Sequence, residues 1–171
     1  LGYLDNTVVM IFSDHGEQFW EHWSFSHHVS MYNEETSAIG ALWAKDMKAK
    51  AETLPTSHID LAPWLLDYLG LEIPEEITGL TIPSISPDRP RYCASLHQEI
   101  TSQSVDRIPW KLIYSWDGKL ELYNTSMDPQ EGLDLSRDEE KVVGELWALL
   151  QQQILLIDEI YTEYSPVDPF E

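Results

Sequence analysis

The sequence predicts an α/β chain in two parts, a partial sheet with its helix over residues 1–86 and a smaller antiparallel α+β subdomain, covered by a long helix, over 87–171. Three observations predict it. Asn6 to Phe12 is a nearly continuous apolar run rich in β-branched residues, which reads as a strand buried on both faces, as in parallel sheets. Two short apolar runs flank Asp117-Gly118, a preferred hairpin dipeptide. Finally, Val142, Leu146, Leu149, Leu150, Ile154, Ile157 and Tyr161 recur at helical spacing, forming an apolar stripe that can cover a small sheet.

The other elements follow in order. Ser13 to Tyr32 is polar and rich in His, Glu and aromatic residues, as suits a functional loop at the carboxyl end of a strand. Ala38 to Trp43 is a second strand, and Lys45 to Leu54 a surface connection. A helix is expected from Ser57: Ser57 or Asp60 can cap it, Pro63 falls in its first turn, Leu61, Trp64, Leu65, Tyr68 and Leu69 form its stripe, and Gly70 ends it. Glu72 to Arg91, with Pro74, Pro83, Pro87 and Pro90, is an irregular crossing segment. Strands are then expected over Arg91–Leu96, Lys111–Trp116 and Lys119–Asn124, and the helix from Asp138 to about Tyr161.

Bulk composition narrows the partners. With 43% apolar residues among 171, the chain can bury a core. A formal net charge of −20 repels nucleic acid and anionic membrane surfaces, and favours a cationic partner or bound metal. Cys93 is the sole cysteine, so no internal disulfide forms, and a buried, inert thiol is expected. No run approaches the ~18 apolar residues of a membrane span. The chain opens on Leu1 and enters a strand pattern almost at once, so it is expected to derive from something longer, with room for a signal peptide or membrane anchor upstream.

Chemistry concentrates in one loop. Four of the six histidines lie between His15 and His28. Asp14 and His15 together offer an oxygen and a nitrogen donor suited to Zn²⁺ or Mn²⁺, and to Ca²⁺ if His15 is not a direct ligand. Adjacent side chains on a strand point to opposite faces, so the two can share a metal only beyond the strand's end, where Gly16 lets the backbone turn. The alternative is a capping or hydrogen-bonding role. Glu17 and Glu21 are either solvated or support a ligand. His22 either bonds a loop carbonyl or touches substrate, and His58 and His97 read as structural or exposed. Trp20, Trp23 and Phe25 form either a pocket wall or packing within their own lobe.

Asn6-Thr-Val-Val-Met-Ile-Phe-Ser-Asp-His-Gly-Glu17, then Glu21-His22, His28 and Met31-Tyr-Asn-Glu-Glu35, resembles the sulfatase and alkaline phosphatase superfamily. Ser57-His-Ile-Asp-Leu-Ala-Pro-Trp-Leu-Leu-Asp-Tyr-Leu-Gly-Leu71, Pro74 and Gly79-Leu80 look like its next helix and loop. Lys111-Leu-Ile, Glu121-Leu-Tyr, Asp128-Pro-Gln-Glu131 and Leu133-Asp-Leu135 look like its C-terminal subdomain. The resemblance implies an alkaline phosphatase-like sheet, with Asp14 and His15 as ligands of a divalent metal (Ca, Zn or Mn) and further ligands from a missing N-terminal half. It also implies a basic residue that binds the substrate's anionic head or assists the leaving group; His28 fits that place, with His27 one residue off. Trp20 and Trp23 stand where many members carry Gly, and Thr36-Ser-Ala-Ile-Gly40 replaces an Arg-Val-Pro strand entry.

The implied reaction is metal-dependent hydrolysis of sulfate esters, or phosphate esters, on a small molecule or glycan. A metal-bound Thr, Ser or formylglycine would attack in line. Cys93-Ala-Ser-Leu96 does not match a Cys-x-Pro-x-Arg type signature, so these residues alone are expected to be inert. Two alternatives stand: a phosphoethanolamine or glycerol phosphate transferase of the same superfamily, and a non-catalytic binding module. A periplasmic, extracellular or membrane-anchored location follows from the resemblance.

Overall fold

The computed structural model describes residues 2–27, 30–97 and 100–164, without the side chains of 96, 97, 100, 101 and 157–164. The chain divides into two compact units, Leu1–Arg91 and Tyr92–Glu171.

In the first unit a 3-10 turn, Gly2–Asn6, leads into β1, Val8–Phe12. Two-residue strands β2, Gln18–Phe19, and β3, Phe25–Ser26, pair as an antiparallel hairpin. A single helical turn, α1, Asn33–Thr36, precedes β4, Gly40–Ala44. β4 returns antiparallel to β1, with Val8 opposite Ala44 and Phe12 opposite Gly40. The expectation of a parallel strand buried on both faces is therefore corrected: within the described residues β1 has one antiparallel partner, and Ile11 and Phe12 are exposed. A β-branched run encodes an extended segment that tolerates burial, whereas pairing direction is set by the connection. Here residues 13–39 fold back on themselves and bring β4 alongside β1.

The next helix, α2, Leu61–Leu69, follows a 3-10 turn, His58–Asp60. Asp60 anchors this start rather than merely capping it. Its buried carboxylate accepts Ser57 N–H at 2.8 Å, Leu80 N–H at 2.8 Å and Arg89 Nη1 at 2.9 and 2.8 Å to its two oxygens. Charge-assisted bonds of this kind offset the cost of burying a carboxylate. Pro63 sits buried in the first turn, where its missing N–H is no loss. At the far end Gly70 takes a left-handed φ of +66°, Gly70 N–H reaches Asp67 O, and Leu71 N–H reaches Leu66 O, the Schellman arrangement that satisfies the last carbonyls.

The second unit is a four-stranded sheet, β5 (Arg91–His97), β6 (Ile100–Arg107), β7 (Trp110–Tyr114) and β8 (Leu120–Asn124), in that spatial order. β6/β7 and β7/β8 are antiparallel, and Val105, Leu112 and Leu122 lie side by side across three strands. The β7–β8 turn at Asp117-Gly118 is closed by Ser115 N–H to Lys119 O at 2.9 Å. Strand β6 was not legible: its alternation is broken by Ser102 and Ser104, small hydroxyl residues that the fold buries. Helix α3, Glu140–Tyr164, lays Leu146 and Leu150 on Val105, Leu112 and Leu122, with Val142, Leu149 and Ile154 alongside. Each fully buried aliphatic side chain contributes roughly 1.5–3 kcal/mol before entropy is counted. Ile157 and Tyr161 lie outside the described side chains. No helix of the described residues is long and apolar enough to cross a membrane.

Candidate active site

The β1–β4 pairing continues to Ser13, whose N–H reaches Ile39 O at 3.1 Å and whose hydroxyl accepts Ile39 N–H at 3.0 Å. Asp14 is thus the first residue past the sheet. There the backbone presses against α1: Gly16 N–H bonds Glu35 O at 2.8 Å, and a Cβ at Gly16 would lie inside the carbonyl oxygen of Glu34. Gly16 is required by this close approach of two backbones, not by an unusual φ.

Asp14 and His15 come together beyond the strand. Asp14 Oδ2 lies 3.6 Å from His15 Nε2, with side-chain exposures of 86% and 35%. His15 Nδ1 lies 2.6 Å from Gly16 O. A carbonyl can only accept, so this bond places a proton on Nδ1 and leaves Nε2 as the ring nitrogen beside Asp14. Backbone orientation of an imidazole through its second nitrogen is the usual support for a metal-ligating histidine. The Gly16 carbonyl, and after it the Asp14 charge, raise the His15 pKa. The main-chain N–H of Asp14 and then the His15 charge lower that of Asp14. One carboxylate and one imidazole nitrogen fit a divalent metal, but they are two donors. Among the described residues no group of three or more His, Cys, Asp or Glu could hold a metal ion.

His27 joins this pair. Its ring centroid is 4.2 Å from that of His15 at an interplanar angle of 34°, and its Nδ1 is 3.0 Å from Glu17 Oε2. His28, the preferred candidate for the basic position, lies outside the described residues. His22 bonds Glu34 Oε1 and stacks on Tyr32 at 3.6 Å and 8°, fastening the β2–β3 hairpin to α1. His58 Nε2 is 2.9 Å from Ser13 O, a structural contact. His97 lies outside the described side chains, and Cys93 is half-buried rather than buried. Glu21 accepts Phe19 N–H within its own hairpin.

Reading residue by residue missed the carboxylates that organise the loop. Glu35 is buried and accepts Ser30 Oγ–H at 2.7 Å and Ser30 N–H at 3.1 Å, while Ser30 Oγ accepts Gln18 Nε2 at 2.8 Å. The only signal was the Glu34-Glu35 pair itself, whose side-chain partners Ser30 and His22 lie 5 and 12 residues earlier in sequence.

The hairpin keeps a glycine-like backbone without glycine. Trp20, Trp23 and Ser26 have φ of 80°, 61° and 94°. Each such non-Gly residue costs of order 1–3 kcal/mol. Phe19, Trp20, Trp23 and Phe25 are all exposed, so these rings do not pack into a core among the described residues of this unit. Phe19 and Phe25 meet edge to face at 5.9 Å.

A strand ending in an Asp-His pair, an adjacent basic ring and a separate small sheet under a helix define a class, and comparison with known proteins agrees. The sulfatase family model matches residues 1–71. The chain is 29% identical over 167 residues to a Delta 4,5-hexuronate-2-O-sulfatase of Bacteroides thetaiotaomicron, covering 87% of this chain and 35% of that protein. It is 27% identical to an N-acetylglucosamine-6-O-sulfatase of the same organism, over all of this chain and 33% of that one. A crystal structure assigned to a sulfatase from Bacteroides thetaiotaomicron superposes with a TM-score of 0.76 at 26% identity, covering 96% of this chain and 40% of that one. The chain belongs to the sulfatase and alkaline phosphatase-like superfamily, and spans about a third of the length of the curated relatives it matches.

Proposed function

We propose that this chain carries one side of the active centre of a metal-dependent hydrolase that cleaves sulfate esters on glycans. The observation that carries the reading is the meeting of Asp14, His15 and His27 just past the end of β1, in the segment that matches the sulfatase family. Relatives named for sulfated hexuronate and N-acetylglucosamine support the substrate class.

Asp14 and His15 would hold the metal, which when bound neutralises charge on the ester's oxygens. His28, or His27 one residue before it, would lie against the anionic head, where an imidazolium hydrogen-bonds a sulfate oxygen or gives its proton to the departing alkoxide. Gly16 N–H, bonded to Glu35 O, would hold the chain just past these donors against α1. The remaining ligands and the nucleophile would come from residues beyond this chain, so the activity is that of the whole protein. The test is sulfate release by the full reading frame from 6-sulfated N-acetylglucosamine and from unsaturated 2-sulfated hexuronate disaccharides. Sulfate release lost in Asp14→Ala is expected; phosphate release from the matching phosphate esters, with no sulfate from either substrate, would overturn the reading.

A further inference from the structure

We propose that Trp20 and Phe25, braced by Phe19, form a stacking platform for a neutral sugar ring of the glycan, next to the ring that carries the sulfate ester. The proposal rests on the reading of this loop as part of a glycan sulfatase centre. The β2–β3 hairpin has two unlike faces, because side chains alternate along a strand. Gln18, opposite Ser26, is fully buried and donates to Ser30, which ties one face to the rest of the loop. Phe19, opposite Phe25, stands on the other face, and both rings are exposed. Phe25 meets Phe19 edge to face at 5.9 Å and Trp20 at 6.2 Å and 38°, so three exposed rings orient one another in a single cluster.

The backbone gives no reason for Trp20 to be an indole. Its φ of 80° is one that glycine takes freely and a bulky residue rarely, and its ring is 65% exposed. Glycine would serve the turn better, and clustered exposed rings mark binding surfaces. Position says what binds there. β2 begins at Gln18, three residues after His15, and β3 ends at Ser26, next to His27, whose ring lies 4.2 Å from that of His15. Both ends of the hairpin therefore run into the candidate centre, where a glycan bearing the ester must extend beyond its sulfated ring. Charge narrows the occupant further: no Lys or Arg precedes Lys45, and Glu17 and Glu21 accompany the rings, so the platform offers no permanent cation to a sulfate or carboxylate. It suits an uncharged pyranose instead, whose C–H-rich face carries partial positive charge and packs on the negative face of an aromatic ring.

The experiment is saturation-transfer NMR on the protein made from the full reading frame, irradiating aromatic protons in the presence of an unsulfated, uncharged tetramer of N-acetylglucosamine. Sugar C–H signals are expected with the wild type, and should fall at least about 5-fold in Trp20→Gly and in Phe25→Ala. Trp20→Gly suits the left-handed backbone, so it removes the ring and leaves the hairpin. No signal with the wild type, or equal signals from all three proteins, would overturn the proposal. So would a Trp20→Gly protein that melts well below the wild type, because the indole would then be packed on another part of the protein. In the sulfate-release assay the ratio of kcat/KM for the 6-sulfated tetramer to that for 6-sulfated N-acetylglucosamine should fall about 10-fold in Trp20→Gly, chiefly through KM. An unchanged ratio contradicts the platform. Failure of the wild type to release sulfate from either substrate, with tetramer signals still dependent on Trp20, would instead sink the functional reading and leave the sugar platform standing.

Discussion

Lys111 Nζ lies 3.0 Å from Glu131 Oε1, and both side chains are fully buried. The contact is ionic rather than an aligned hydrogen bond at Oε1. Glu131 reaches it from a turn where its own φ is +53°. Strand β7 thereby pins the Asp128–Leu135 segment through a pair of charges, where the neighbouring Leu112 and Ile113 use apolar contact. Breaking such a pair leaves an uncompensated buried charge. Glu131→Ala or Lys111→Ala is expected to cost about 3–5 kcal/mol, whereas Lys111→Met with Glu131→Leu should be neutral or stabilising. Urea unfolding of the four proteins reads this directly, and equal losses in the single and double variants would contradict it.

Gly16 makes a second prediction. Because a Cβ would strike the Glu34 carbonyl, Gly16→Ala must push α1 away from the end of β1. A loss of at least about 2 kcal/mol is expected. The shifts should centre on Gly16, Glu34 and Glu35 in amide NMR spectra; spectra unchanged at Glu34 and Ser37 would show that the approach is not tight.

The hairpin predicts an unusual outcome for removing an aromatic residue. Trp23 is 90% exposed at φ 61°. Trp23→Gly relieves the left-handed strain while adding chain entropy to the unfolded state, so stability should be unchanged or rise by up to about 1 kcal/mol. A loss above about 1 kcal/mol would mean that the indole packs on something in solution.

Much of this was legible from sequence because local chemistry agreed with the final fold. The β1 run, the Gly70 stop, Asp117-Gly118 and the α3 stripe each depend on neighbours in sequence; the first three stand within two residues of their expected place, and the stripe does so from Val142 to Ile154. β6 was hidden because Ser102 and Ser104 are polar by type but small enough to bury. Pairing direction for β1 was hidden because the run carries no record of its partner. The loop's histidines showed their number but not their partners: which ring meets His15, and that His22 belongs to Glu34, are facts of three-dimensional closure.

Acid should act on the second unit through Asp134. Burial pushes its pKa up, but the N–H groups of Ser136 and Leu122, at 2.9 and 3.1 Å, outweigh it, helped by the Ser136 hydroxyl and Lys119, and the net shift is down from 3.8. A pKa lowered on folding stabilises the protein above the unfolded value, and that stability is lost as pH falls through the folded one. Between pH 5 and pH 2 the wild type should therefore lose more stability than Asp134→Asn, whose amide keeps an acceptor but cannot titrate. Parallel melting curves for the two proteins over that range would refute the assignment.

The most direct measurement on the site is calorimetric titration of Zn²⁺, Mn²⁺ and Ca²⁺ into the chain and into its Asp14→Ala/His15→Ala variant. Two donors cannot close a coordination sphere, so weak binding that disappears in the variant is the expected result. Tight stoichiometric binding that survives both substitutions would place the metal elsewhere and contradict the account of the β1 terminus as the metal-holding end of a sulfatase-like centre.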